Sequence, residues 1–297
     1  MRILLTGTSG QVGAALALEL GRHGTVIAPR RAEFDLSQPQ TLGAALDEFA
    51  PDLIVNPAAY TGVDRAEDEP DLAARVNAVA PEAMAQWAAR RGVPMLHVST
   101  DYVFDGSGTA PWREDDEPNP LSVYGASKLA GDRAVIAAGG PHLILRTSWV
   151  YAARGVNFLN TMARLAGERE ELRVVADQTG APTSAPVIAA VIAQILDQAG
   201  NDVGGLLKAK GGVFNVACRG ETSWHGFAMA IVAGLRVRGA ALACRRIVPI
   251  GTQDYPTKAR RPANSRLSLA RLSDVFGIVP PDWNEALASV LAARALV

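Results

Sequence analysis

The chain has little cysteine. Its 297 residues contain two, Cys218 and Cys244, too few for a disulfide framework, so a reducing cytoplasm is the expected setting. Net charge is almost absent, −1 at neutral pH, which excludes a global pull toward nucleic acid or a membrane surface. Histidine is scarce. His23, His97, His142 and His225 show no metal-ligand spacing, so they are expected to be structural and no metal is expected. No apolar run reaches the ~18 residues of a membrane span. The opening residues lack the basic region, apolar stretch and cleavage site of a secretory signal. Repeats and low-complexity tracts are missing too. What remains is an ordinary globular composition, 48% hydrophobic and 20% charged. The length suits one large domain or two joined ones.

Apolar runs alternate with helical segments through the first half. Ile3-Leu4-Leu5, Thr25-Val26-Ile27-Ala28, Leu53-Ile54-Val55-Asn56, Pro94-Met95-Leu96-His97-Val98 and His142-Leu143-Ile144-Leu145-Arg146 read as strands. They are apolar throughout rather than alternating, the mark of strands buried on both faces. Helices are expected over residues 12–20, 40–49 and 72–91, and around Tyr124 and Lys128. This alternation predicts an α/β fold, a Rossmann-type doubly wound parallel sheet. After about residue 150 the rhythm loosens. The expected organisation is a Rossmann domain over residues 1–150 and a smaller C-terminal substrate-binding domain over 151–297. Val213-Phe214-Asn215-Val216 reads as one more buried strand, so a segment near 213–230 is expected to rejoin the first domain. Residues 285–297 read as an Ala-rich terminal helix.

The first strand runs into Gly7, Gly10 and Gly13, spaced G-x-x-G-x-x-G. Gly7 permits a sharp exit from the strand, Gly10 lets backbone approach a pyrophosphate, and Gly13 lets helix pack on strand. Gln11 and Val12 lie at the start of that helix, whose free N–H groups and positive dipole end suit phosphate. The spacing alone also fits a tight turn without a ligand. An acidic residue at the end of the second strand would accept from a ribose 2′-hydroxyl. Here Pro29-Arg30-Arg31 follows, and guanidinium groups there favour a 2′-phosphate, hence NADPH over NADH. A solvated basic loop is the alternative. Asp35 and Leu36 fall at a distance suited to an adenine edge. Ala58, Ala59 and Tyr60 follow the third strand, at the strand ends where such sheets bind ligands.

Tyr124 and Lys128 stand at i and i+4, on one helix face. A free phenol titrates near pH 10, and a nearby ammonium would lower that value. The phenol could then give its proton to a carbonyl oxygen as hydride reaches carbon. A solvent-facing pair on an ordinary helix is the alternative. Ser99 and Thr100 end the fourth strand, and Thr100 is the choice for a second hydrogen bond to that oxygen. Glu114-Asp115-Asp116-Glu117 reads as a solvated loop, and Trp87 and Trp283 read as packing residues.

These motifs resemble the dTDP-4-dehydrorhamnose reductases of the extended short-chain dehydrogenase/reductase family. The likeness covers essentially the whole chain. Its marks are Leu4 to Gly13, Val55-Asn56-Pro57-Ala58-Ala59-Tyr60-Thr61, Ser99-Thr100-Asp101-Tyr102-Val103-Phe104, Tyr124-Gly125-Ala126-Ser127-Lys128, Arg146-Thr147-Ser148-Trp149-Val150-Tyr151, Asp177-Gln178-Thr179-Gly180-Ala181-Pro182-Thr183 and Ala259-Arg260-Arg261-Pro262. The early motifs are shared by many reductases, epimerases and dehydratases; the fifth and last are more specific. The resemblance implies reduction of the 4-keto group of dTDP-4-dehydro-β-L-rhamnose by NADPH, with NADH possible. Tyr124 would donate the proton, with Lys128 and Thr100 in support. Thr100 and Asp101 would touch the substrate, and Trp149 would line the sugar pocket. Arg260 and Arg261 would meet the nucleotide diphosphate, an interdomain salt bridge being the alternative. Some relatives form a magnesium-bridged dimer through three glutamates. Those positions are Ala15, Pro186 and Ala293 here, so a monomer, or a dimer without that metal, is expected. Rival readings are another nucleotide-sugar 4-ketoreductase or an epimerase, and a non-catalytic regulatory subunit of methionine adenosyltransferase type.

Overall fold

The apolar runs pair into one six-stranded parallel sheet in a computed structural model of the protein, which describes residues 1–294. In chain order the principal elements begin with β1 (Arg2–Leu5), α1 (Gln11–Glu19), β2 (Thr25–Ile27), α2 (Pro39–Phe49), β3 (Leu53–Asn56) and α3 (Ala80–Arg91). Next come β4 (Met95–Thr100), α4 (Val123–Ala137), β5 (His142–Thr147), α5 (Phe158–Glu168), β6 (Glu171–Val175) and α6 (Ala185–Ala199). The last are α7 (Val203–Lys210), β7 (Gly212–Asn215), α8 (Trp224–Val237), β8 (Arg246–Ile250), α9 (Ala270–Phe276) and α10 (Trp283–Ala293).

The sheet order is β2-β1-β3-β4-β5-β7. The chain steps outward from β1 to β2, then back past β1 to β3. That reversal is the topological switch, and the crevice beyond it is where open α/β sheets bind ligands. Successive strand residues face opposite layers. Ile3, Leu5, Val55 and Leu145 pack with Leu16, Ile188, Ile192, Leu207 and Phe276 from α1, α6, α7 and α9. Leu4, Ile54 and Ile144 pack with Leu42, Leu46, Met84, Trp87 and Val135 from α2, α3 and α4. Each such side chain, fully buried, contributes about 1.5–3 kcal/mol. A second core joins α5, β6, α8 and α10 through Leu159, Leu172, Phe227, Ile231, Leu287 and Leu291. There β6 and β8 pair in parallel.

The strand expected at residues 213–216 forms and joins the sheet. Ahead of it, α6 covers the sheet with an apolar face of Ile188, Ala189, Val191, Ile192, Ile195 and Leu196. β7 then extends the sheet beside β5, α8 leaves for the second core, and α9 returns. The helix expected over residues 72–91 is interrupted by a wide π turn, Arg75–Val79. Pro81 has no N–H to give the carbonyl of Asn77 four residues back, which removes one rung of the ladder there. The terminal helix ends at Ala293; residues 295–297 of the expected span lie outside the described residues.

Candidate active site

At the switch point the chain leaves β1 through Gly7, whose φ is +62°, a conformation that L side chains rarely adopt. A Cβ on Gly7 would lie 2.9 Å from that of Ala58, and one on Gly13 would lie 2.1 Å from the Gly7 carbonyl oxygen. α1 is thereby seated on the strand. Gly10 faces outward, with only the Gly7 carbonyl near it at 3.3 Å. No side chain caps α1, which leaves the amides of Gln11 and Val12 to a ligand.

Arg30 and Arg31 lie past β2, and both are paired. The Arg30 guanidinium is 2.8 Å from Glu33, and Arg31 is 3.4 Å from Asp35. Glu33 is a residue the sequence reading passed over, although an acid within reach of β2 is what a ribose hydroxyl needs. Asp35 also accepts from the amide and hydroxyl of Ser37. The Leu36 side chain is buried in the core, so only its backbone is offered to a cofactor. Ala58 lies against Gly7, and Ala59 is half-buried beside it. Tyr60 is turned away: its hydroxyl donates to Glu69 at 2.5 Å, and its backbone amide and carbonyl are both held by the Asn77 side chain.

Thr100 at the end of β4 and Tyr124 and Lys128 on α4, the candidate reacting side chains, lie close together. Ser122 caps α4 by accepting from the Gly125 amide, which fixes the turn carrying Tyr124. The Thr100 hydroxyl donates to Asp101 and accepts from the Tyr102 amide, each at 3.2 Å. The Tyr124 ring meets Tyr102 edge-on at 5.5 Å. Burial pushes the Tyr124 phenol above its ordinary value, Thr100 pulls it down, and Asp101 and Asp132 push it up. The expectation that Lys128 lowers that value is therefore corrected. The Lys128 ammonium is turned toward β4, 2.7 Å from the Val98 carbonyl and 3.1 Å from His97. Burial lowers the lysine to about 8, with Asp132 opposing. Asp101 is raised to about 7 by burial, against hydrogen bonds from Ser265 and Thr100, and its Oδ2 has no partner.

Further residues hold this arrangement, and of these Asp132 and Asn77 carry no signal in the sequence. Asp132 continues the face of Tyr124 and Lys128 by one more turn and pairs with Arg146 at 3.2 Å, both buried. Arg146 also lies over the Phe104 ring at 5.2 Å. Asn77, in the π turn, donates to Ser127 at 3.0 Å. Glu114 departs from the solvated-loop expectation: it is buried and accepts from the Asn215 amide at 2.9 Å, tying the loop to β7.

Trp149 sits across the cleft with φ +48°, a conformation rare for a bulky residue. Its ring stacks on Trp224 at 3.7 Å, and a Cβ on Gly180 would lie 2.7 Å from it. No spacing links Trp224 to Trp149, so sequence reading had no signal for the pair. Arg260 is exposed and makes no ion pair among the described residues. Arg261 binds Asp64 at 2.7 Å, and the neighbouring Lys258 pairs with Asp68. For Arg261 the salt-bridge alternative is the one the geometry favours. Among the described residues no group of three His, Cys, Asp or Glu side chains could hold a metal, and no helix is long and apolar enough to cross a membrane.

The model of the family described as RmlD substrate binding domain matches residues 1–295. The chain belongs to that family. A dTDP-4-dehydrorhamnose reductase from Burkholderia thailandensis is 50% identical to it over 290 residues, 97% of each chain. The crystal structure of a dTDP-4-dehydrorhamnose reductase from Clostridium acetobutylicum matches with TM-score 0.89 and 34% identity, covering 99% of each chain. Another, from Bacillus anthracis in complex with NADP, matches with TM-score 0.88 and 31% identity over 99% of each chain.

Proposed function

We propose that this chain reduces the 4-keto group of dTDP-4-dehydro-β-L-rhamnose to give dTDP-L-rhamnose, the last step of dTDP-rhamnose biosynthesis, with NADPH as reductant. One observation carries the reading: the chain is 50% identical to a curated reductase over 97% of each chain and joins Tyr124, Thr100 and Lys128 at one strand end. The outward-facing Gly10 and the uncapped start of α1 fit a dinucleotide pyrophosphate. NADPH, when bound, supplies the hydride.

The other roles belong to the chain. Tyr124 gives its phenolic proton to the carbonyl oxygen. Its raised pKa keeps it protonated at neutral pH, which suits a donor. Thr100 offers a hydroxyl beside the phenol, and Lys128 a positive charge or a donor one turn away. Asp101 meets sugar hydroxyls through its unpartnered oxygen. Trp149, stiffened by Trp224, presents an aromatic surface to the apolar side of a deoxysugar. Arg260 is free to meet the diphosphate. The enzyme works in the cytoplasm as a monomer, or as a dimer without bridging magnesium, since Ala15, Pro186 and Ala293 offer no oxygen ligands from their side chains.

The test is turnover of dTDP-4-dehydro-β-L-rhamnose with NADPH. The expected result is NADPH consumed one-for-one with dTDP-L-rhamnose formed. Two results overturn it: isomerised sugar with no net NADPH loss, as an epimerase would give, or bound NADPH with no reaction, as a regulatory subunit would give.

A further inference from the structure

His97 is an oddity in β4. Its neighbours Met95, Leu96 and Val98 are apolar, yet it sits in the centre of the sheet with no exposure. Both ring nitrogens are engaged. Nε2 is 3.1 Å from the Lys128 ammonium nitrogen, and Nδ1 is 3.0 Å from the Asn56 amide nitrogen. Asn56 continues the chain to Thr6, 2.6 Å from its Oδ1, and the Thr6 hydroxyl accepts from the Ala58 amide at 3.3 Å. Thr6, Asn56, His97 and Lys128 are all buried, at 3, 0, 0 and 1% exposure. Thr6 is the residue immediately before Gly7, so a continuous polar thread joins the lysine to the glycine turn.

Burial and the lysine charge hold His97 neutral, well below its ordinary pKa. A neutral imidazole has one donor and one acceptor, so the thread can run in only two directions. When Lys128 is charged it must donate to Nε2. Nδ1–H then donates to the Asn56 carbonyl, and the Asn56 amide donates to Thr6. When Lys128 is neutral its lone pair is free to accept from Nε2–H, a direction closed to the ammonium. The Asn56 amide then donates to Nδ1, and the Thr6 hydroxyl donates to the Asn56 carbonyl. Every bond has one donor and one acceptor in either direction. The change needs a tautomer exchange at His97 and a half-turn of the Asn56 amide. As placed, with the Asn56 nitrogen toward His97, the thread has the polarity of the neutral lysine.

We propose that His97 is a positioning residue whose tautomer follows the charge of Lys128, so that the thread Lys128–His97–Asn56–Thr6 reverses its hydrogen-bond polarity when the lysine loses its proton. This device holds the lysine head on β4 in both charge states without leaving a buried donor facing a donor. It also carries the charge state to the turn that opens the cofactor site. The other ionisable groups around it are Asp132 on α4, Arg146 on β5 behind Asp132, Tyr124 one turn before Lys128, and Asp101 beyond β4. None of them hydrogen-bonds His97. Burial brings Lys128 to about 8, which puts the reversal within a workable pH range.

The inference rests on Lys128 being the cation of the proposed site, but its test needs no substrate and so fails or holds apart from the turnover assay. The experiment is long-range ¹H–¹⁵N correlation of the imidazoles in the ¹⁵N-labelled full chain across the pH range of Lys128. His97 is assigned by elimination with variants of His23, His142 and His225, which leaves the core untouched. The expected result is a neutral His97 ring throughout, with the proton on Nδ1 at low pH and on Nε2 at high pH. In Lys128→Met the tautomer is independent of pH. A single tautomer across the whole range in the unaltered chain overturns the proposal, as does a His97 that gains a proton near the ordinary histidine pKa. A switch that persists in Lys128→Met overturns it as well.

Discussion

Arg30 and Glu33 compete for the same place beyond β2. The guanidinium is the natural partner of a 2′-phosphate, and the carboxylate is the natural partner of a 2′-hydroxyl. Their 2.8 Å contact means that a 2′-phosphate takes Arg30 from Glu33, whereas a free ribose leaves the pair intact. Arg30→Ala is expected to raise KM for NADPH by on the order of tenfold with little change for NADH. Glu33→Gln is expected to weaken NADH use and spare NADPH. Steady-state KM values with both cofactors check this; equal effects on the two would remove the 2′-phosphate argument. At this scale the sequence was partly legible. The i, i+4 spacing places Tyr124 and Lys128 on one face, as helical geometry requires. It carries no information on where a four-carbon side chain points, so the turn of Lys128 toward His97 could not be read. Glu33 stands six residues past the end of β2, and only the turn that brings it back to Arg30 shows its place.

α4 carries the proposed catalytic face and presses against the π turn before α3. A Cβ on Gly131 would stand 2.1 Å from the Asn77 carbonyl oxygen, and backbone there cannot move without shifting Tyr60 and Ser127, both held by Asn77. Gly131→Ala is expected to cost about 1–3 kcal/mol of stability and to reduce kcat. Ala130→Ser, on the exposed side of the same helix, is expected to leave both nearly unchanged. Denaturant midpoints and kcat for the two variants decide it; a neutral Gly131→Ala would show that the helix has room to spare. The central strands were legible because they are buried on both faces and largely apolar; β2, at the sheet edge, is only partly buried. The π turn was not, since its cause is the lost Pro81 bond combined with partners at Tyr60, beyond β3, and at Ser127 on α4. α6 was also missed, although its apolar face is what closes the sheet.

Across the molecule, the loop bearing Lys258 and Arg261 is latched to the segment bearing Asp64 and Asp68. This joins the C-terminal half to the chain just beyond β3, at the rim of the cleft. If Arg261 serves as a latch, Arg261→Ala and Asp64→Ala are expected to lose stability non-additively, with a coupling of about 0.5–1 kcal/mol for this part-exposed pair. A double-mutant cycle by denaturant unfolding measures that. Additive losses, with a raised KM for the nucleotide sugar in Arg261→Ala alone, would return the arginine to the diphosphate. The doubly wound class was legible from the order of strands and helices. The interleaving of the two cores was not, because the sequence does not mark which sheet or helix a helix face will meet. Hydride delivery to carbon 4 of the sugar, with Tyr124 as proton donor, is read by following deuterium into the product from NADPH that carries it at both hydrogens of nicotinamide carbon 4. The expected result is deuterium at carbon 4 of dTDP-L-rhamnose, and loss of that transfer in Tyr124→Phe while NADPH still binds. Unlabelled product, or full transfer in Tyr124→Phe, would overturn the assignment.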